Sequence, residues 1–116
     1  MSSTPMIPVL ERYLDLTSDR HQVTVSNMAN IDTPGYHTRD IDFRAEMQRA
    51  LNDSGPSQFT PVAVKVAGLV ERPDGNNVNL DREGLMLSET QMQYEIGVQL
   101  VKSEFHRLIY AINEGK

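Results

Sequence analysis

The residues most able to bind a metal are three histidines, His21, His37 and His106. They lie far apart, and none has the His or Cys neighbour four positions away that a helical zinc site needs. The chain contains no cysteine, which removes thiolate metal sites, disulfides and thiol nucleophiles together. A packing or register-setting role suits His21 better than ligation. Glu11 with Asp15, and Asp15 with Asp19, are carboxylates four apart that a helix would place on one face. General acid–base catalysis also needs a pocket that drives such groups' pKa values apart, and a solvated helix face offers none. Asp74-Gly75-Asn76-Asn77 carries calcium-friendly oxygens, but the twelve-residue loop and closing Glu of an EF-hand are missing. A turn followed by a helix cap accounts for it. Nor is there a Gly-rich phosphate loop, a nucleophile elbow or a basic aromatic strip. The reading is of a protein with no catalytic residues, no metal and no cofactor.

The elements that carry these residues are easier to read. Ile7, Leu10, Leu14, Thr17, His21, Thr24, Met28 and Ile31 recur at alternating steps of three and four, which is a heptad stripe on a helix. The spacing predicts a helix from Pro8 to about Asn30, with Pro8 tolerated in the first turn. The stripe turns polar at Thr17, His21 and Thr24. Pro34 disfavours helix at Thr33, and Pro34-Gly35 suits the centre of a type II turn, with Gly at the positive φ. A second stripe is longer: Leu87, Gln91, Tyr94, Val98, Val101, Phe105, Leu108 and Ile112. Asp81 is its expected N-cap, or Ser88 with Gln91 for a later start, and Gly115 its stop. Gly97 falls inside it, where a better helix former is expected.

Between the stripes the pattern weakens. Phe43, Met47, Ala50 and Leu51 could line a short helix over 41–51, capped by Asp40 or Asp42 and stopped by Ser54-Gly55-Pro56. Val62, Val64 and Val66 alternate like a half-buried strand. Pro73-Asp74-Gly75 is a turn, and Val78 with Leu80 would return as the second strand of a hairpin over 62–80. The expected organisation is one mainly α domain: an N-terminal helix within 1–31, a loop and β-containing middle at 32–80, and a C-terminal helix within 81–116. The two terminal helices would pair as an antiparallel coiled-coil hairpin.

Each stripe is narrow, the width of a coiled-coil seam rather than of a broad globular face. A lone helix of this kind is marginal in water. Even a two-helix hairpin would leave Leu85, Met92, Ile96, Ile109 and Tyr110 uncovered, and exposed apolar surface on that scale marks an interaction site. The expectation is a chain completed only by assembly. The predicted assembly seam is Ile7, Leu10, Leu14, Met28 and Ile31 on the first helix. On the last it is Leu87, Tyr94, Val98, Val101, Phe105, Leu108 and Ile112. The bulk numbers agree: 116 residues, 39% hydrophobic, with a net charge of −5 from 16 acidic and 11 basic residues. A net acidic chain opposes a primary nucleic-acid role. No run reaches the roughly 18 apolar residues of a membrane span. The N-terminus lacks the basic and apolar regions of a cleaved signal peptide, so export would need another route.

One string is specific. Ser26-Asn27-Met28-Ala29-Asn30-Ile31-Asp32-Thr33-Pro34-Gly35-Tyr36 reads physically as a helix end rich in Asn, then a fixed turn. As a string it resembles the N-terminal signature of the flagellar rod and hook family. Ser26, Asn27, Ala29, Asn30, Thr33, Pro34, Gly35 and Tyr36 all match. Arg39-Asp40-Ile41-Asp42-Phe43, the run from Asp74 to Asp81 and Gln93-Tyr94 look like the proximal-rod branch of that family. His37 departs from it, standing where a basic residue is common.

The resemblance implies a D0-type bundle of terminal helices, stacked helically into a rod that transmits torque, at the basal body in the periplasm near the inner membrane. It also implies type III export with an uncleaved signal. The implied partners are further copies of the chain, the rod proteins FlgC, FlgF and FlgG, the adaptor FliE, the export gate and the membrane ring. No nucleic acid or small-molecule substrate is implied. The alternatives are the sister rod protein FlgC itself and a small helical type III export chaperone or adaptor.

Overall fold

The computed structural model of the chain describes residues 6–52 and 61–115. In chain order these form α1 (Met6–Ala29), β1 (Arg39–Ile41), α2 (Phe43–Asn52), β2 (Ala63–Lys65) and α3 (Leu80–Glu114). The protein is mainly helical with one two-stranded sheet. It is also long: 68 × 26 × 19 Å, with a radius of gyration of 18.2 Å against about 13 Å for a compact chain of this length.

The long axis is α3. At 35 residues it spans about 52 Å, while the 24 residues of α1 span about 36 Å. The two helices lie side by side and run in opposite directions. Asn27 near the end of α1 bonds Glu83 near the start of α3, while Leu14 and Tyr13 sit against Gly97. Continuing that register, α1 runs out opposite roughly the level of Glu104 at the helical rise per residue. Glu104 is half-buried, and every described residue after it is exposed.

The contact between the helices is made by small and polar residues. Thr17 and Thr24 on α1 are buried, as are Glu83, Thr90 and Gly97 on α3, the latter set spaced by sevens. The threonine hydroxyls avoid stranding by bonding their own helix: Thr17 Oγ1 donates to the Tyr13 carbonyl at 2.7 Å, and Thr24 Oγ1 to that of Arg20 at 3.0 Å. Thr90 Oγ1 donates to the Leu87 carbonyl at 3.0 Å. Such back-bonding lets a threonine stripe lie in a dry seam without an unpaired donor. Gly97 is explained by the same closeness. A Cβ there would stand 2.6 Å from Leu14 Cδ2 and 3.0 Å from the Tyr13 ring.

Apolar residues play a smaller part. Among the described residues Leu10, Leu16, Ile41 and Val78 are the buried hydrophobics. α2 lies across α1, with the Phe43 ring meeting Tyr13 edge-on at 5.3 Å. Its cap is Asp42, whose Oδ1 accepts from the Ala45 N–H at 3.1 Å. The expected Ser54-Gly55-Pro56 stop lies outside the described residues, as do the first five residues and Lys116.

Two expectations about the middle are corrected. β2 does not pair with a strand at Val78–Leu80. It pairs antiparallel with β1, Asp40 opposite Val64. Val78 is instead buried in the approach to α3, and Leu80 is that helix's first residue. The valine alternation does not mark an inner face either, since Val62 and Val64 are both exposed. The α3 cap is also Asn79 rather than Asp81 or Ser88, with Asn79 Oδ1 accepting from the Arg82 N–H at 3.1 Å.

Two glycines in α3 should therefore answer oppositely to substitution. Gly97→Leu must push α1 aside and should lose about 1–3 kcal/mol. Gly84, whose Cβ would meet nothing within 4 Å, should gain about 0.5–1 kcal/mol as Gly84→Ala. Urea unfolding of the two variants reads both signs.

Candidate assembly site

The motif string closes the end of α1 onto the start of α3. Asn27 is 1% exposed, and its amide is fully used. Nδ2 donates to the Arg39 carbonyl at 2.7 Å and to Glu83 Oε1. Oδ1 accepts from the Tyr36 hydroxyl at 2.9 Å and the Arg39 N–H at 3.1 Å. Two donors and two acceptors are all that an Asn side chain offers. One side chain thus ties α1 to the turn, to β1 and to α3.

The turn itself is built as the sequence expects. The Tyr36 N–H donates to the Thr33 carbonyl at 3.2 Å, and Gly35 has φ 74°. Asn30 finishes the helix: its Nδ2 donates to the Ser26 carbonyl at 2.8 Å, and its Oδ1 accepts from Thr33 Oγ1 at 3.0 Å. The run from Asp74 to Asn79 meets this turn from the other side. Asn76, fully buried, donates from Nδ2 to the carbonyls of Asn30 at 2.9 Å and Thr33 at 2.8 Å, and accepts from the Val78 N–H at 2.8 Å. Asn77 Oδ1 accepts from the Thr38 N–H at 2.6 Å. The Gly35 N–H donates to the Asp74 carbonyl at 2.8 Å. The two turns touch so closely that a Cβ on Gly75, φ 84°, would lie 3.3 Å from Gly35 Cα.

A charged layer lies beside the amides. Arg20 grips Asp40 with two hydrogen bonds, 3.0 and 3.2 Å, and Arg82 reaches the same carboxylate at 3.2 Å. Arg82 also pairs with the fully buried Glu83 at 2.7 Å. Burial alone would raise Asp40. The Arg20 hydrogen bond and charge, the Ile41 N–H and the Arg82 charge outweigh it and hold the carboxyl below its usual range. The Arg20 guanidinium is raised in turn, chiefly by its bond to Asp40.

The predicted site residues divide into two groups. Ser26, Asn27, Asn30, Thr33, Pro34, Gly35 and Tyr36 come together in the clasp, and Ala29 is an exposed helix residue beside it. Of the predicted seam, Leu10 is buried, and Ile7, Leu14, Met28, Ile31, Leu87, Val98 and Val101 are half-buried. Tyr94, Phe105, Leu108 and Ile112 are exposed. The apolar stripe of α3 thus lies beside the buried line of Glu83, Thr90 and Gly97 rather than on it. Leu85, Met92, Ile96, Ile109 and Tyr110 are exposed as well.

The candidates for chemistry stand apart. His21 and His106 are exposed, and His37 pairs with Glu71 at 2.8 Å. Burial and then the Asp15 charge raise Asp19, which rims a shallow cleft with Gln22 and Ser26. Among the described lining residues no second titratable group joins it there. Arg20, Arg82, Glu83, Thr38 and Thr90 carry no pattern in the chain that would single them out.

No protein-family model matches the chain. Curated proteins do. FlgB of Salmonella typhimurium, described as a flagellar basal body rod protein, is 27% identical over 122 residues, covering 88% of each chain. FlgB of Escherichia coli is 26% identical over 123 residues, again 88% of each. FlgB of Borrelia hermsii is 29% identical over 120 residues, 85% of this chain and 89% of its own. The chain is a relative of the flagellar rod protein FlgB. The matches span 85–88% of this chain and 88–89% of the relatives.

Asn27→Ala should destabilise the chain by roughly 3 kcal/mol, because it strands buried groups of Arg39, Tyr36 and Glu83 at about 1–3 kcal/mol per group. Tyr36→Phe removes one donor and should cost about 1 kcal/mol; urea unfolding measures both. Asp40 adds a pH dependence. Its folded value is lowered, so its stabilisation is complete above the ordinary aspartate value near pH 4 and is lost as pH falls through the folded value. The urea midpoint should drop as pH falls below the ordinary aspartate range and through the lowered folded value, and Asp40→Asn should flatten that part of the profile.

Proposed function

We propose that the chain is a structural subunit of the bacterial flagellar basal-body rod, at its proximal end, and that it builds the rod through its terminal helices. Kinship with FlgB supports the rod assignment. The observation that carries the mode of assembly is the bare end of α3. Phe105, Leu108, Ile109, Tyr110 and Ile112 follow one another on a helix with no neighbouring element among the described residues to cover them. Apolar surface of this extent on an elongated subunit favours burial against another molecule.

On this reading α1 and α3 act as a coiled-coil hairpin of the D0 type, one domain with the middle segment projecting from it. Stacked helically, such hairpins would pass torque along the rod as side-to-side load between stiff helices. Copies of the chain and the rod proteins FlgC, FlgF and FlgG would share these surfaces, with the adaptor FliE, the export gate and the membrane ring at the base. A place in the periplasm near the inner membrane and type III export with an uncleaved N-terminal signal belong to the same proposal. No described helix is long and apolar enough to cross a membrane.

Phe105→Asp should leave the circular dichroism of the isolated chain unchanged, because the side chain is already half exposed, and should abolish swimming by blocking assembly. Val101→Asp should do the same with some loss of stability. Normal motility and normal basal-body incorporation of Phe105→Asp would refute the assembly role of this surface. A stable helical dimer confined to the cytoplasm would favour an export chaperone instead.

A further inference from the structure

The clasp contains an aspartate directly followed by glycine, Asp74-Gly75. An aspartate carboxyl can be attacked by the amide nitrogen of the next residue, and the attack is easiest where that residue has no Cβ to stand in the way. From the hydrogen bonds around the pair we infer that Asp74 is a self-modification site. The closed clasp holds it as an ordinary aspartate. A chain whose clasp is open converts it to isoaspartate, and the clasp then cannot close.

The conversion balances with water alone. The Gly75 nitrogen bonds to Asp74 Cγ, its proton and the carboxyl OH leave together as water, and a succinimide ring remains. Water then opens the ring. Opening at Cγ restores aspartate, while opening at the α-carbonyl leaves the backbone running through Cβ and Cγ, with the mass unchanged.

Both reacting groups are engaged in the structure. The Gly75 N–H donates to the Arg72 carbonyl at 2.8 Å, so the proton that must leave is bonded and the peptide plane is fixed. Asp74 Oδ1 accepts from the Asn76 N–H at 3.0 Å, a side-chain turn that ties the carboxyl two residues ahead. The backbone on either side is held as well: the Arg72 N–H donates to the Asn76 carbonyl at 2.8 Å, and the Gly35 N–H to the Asp74 carbonyl at 2.8 Å. Asp74 is exposed, so water reaches it. Hydrogen bonding, not burial, holds the step back.

The same turn makes the labile pair necessary. Gly75 has φ 84°, and a Cβ there would lie 3.3 Å from Gly35 Cα. Each of these facts calls for glycine, and Asp74 supplies the acceptor for the Asn76 N–H. Isoaspartate would lengthen the backbone by one methylene and turn the carbonyl that receives the Gly35 N–H into a free carboxylate. Asn76 would lose its register with the Asn30 and Thr33 carbonyls, which its Nδ2 now meets at 2.9 and 2.8 Å.

The test uses the full chain at neutral pH, held in native buffer and in guanidinium chloride. Chromatography with mass detection separates the Asp74 peptide from its isoaspartyl isomer of equal mass. The isomer should form at least about tenfold more slowly in native buffer, because only locally opened molecules react. Asn27→Ala, which weakens the clasp without touching the pair, should form it faster than the unaltered chain in native buffer. Asp74→Glu, which would need a larger ring, should give no isomer in either condition. Chains aged in denaturant and returned to buffer should show a lower urea midpoint, in proportion to their isomer content. Equal rates in native buffer and denaturant, or aged chains that refold with an unchanged midpoint, would overturn the inference.

Discussion

Everything in this molecule depends on the side-chain amide of Asn27. A buried amide must satisfy two donors and two acceptors, and here the four partner atoms belong to β1, α3 and the turn. Arg39 supplies its N–H and carbonyl from β1, Tyr36 its hydroxyl from the turn, and Glu83 its carboxylate from α3. The amide can be satisfied only when the end of α1 and the start of α3 are together and the chain between them is folded back. The constraint is directional in a way that apolar contact is not. It sets register between two helices whose buried line on α3 is Glu83, Thr90 and Gly97, with Leu14 and Tyr13 of α1 against Gly97.

The consequence is an uneven molecule. At the clasp, Asn76, Asn77 and the paired turns at Gly35 and Gly75 add hydrogen bonds around the same point, and Arg20, Asp40 and Arg82 brace it. Along the helix pair, Thr17, Thr24, Thr90 and Gly97 let the backbones approach closely while their hydroxyls remain bonded. Past Glu104 the support ends. The outer third of α3 carries some of the most apolar side chains of the protein, exposed and without cover among the described residues. Order is therefore built from one end, and the surface for neighbours is left at the other. On the proposed reading as a rod subunit, the clasp would fix each copy's shape and the free end would be available to a neighbour.

Much of this was legible in the chain. Heptad spacing located both long helices, because a stripe at steps of three and four has no other economical explanation, and Pro34-Gly35 located the turn. The motif string was legible as a family signature, while its physical content was not. Nothing in Ser-Asn-Met-Ala-Asn says that one Asn reaches across to a carboxylate 56 positions away. The apolar stripe of α3 is half-buried or exposed, while the closest approach to α1 is made at Glu83, Thr90 and Gly97, residues whose types do not mark a seam. Gly97 looked like a flaw in a helix and is the point where Leu14 and Tyr13 press against the backbone. The β1–β2 pair is not legible because strands of three residues are too short to show alternation, and Asn79 and Asp81 are equally good caps by residue type.

Amide hydrogen exchange of the isolated full chain tests most directly whether order radiates from the clasp. Protection should be greatest around residues 24–39 and 76–97 and should fall steeply beyond residue 104, where α3 has no neighbour among the described residues. Protection that stays uniform to the end of α3, or that is weakest at Asn27 and Asn76, would contradict the account.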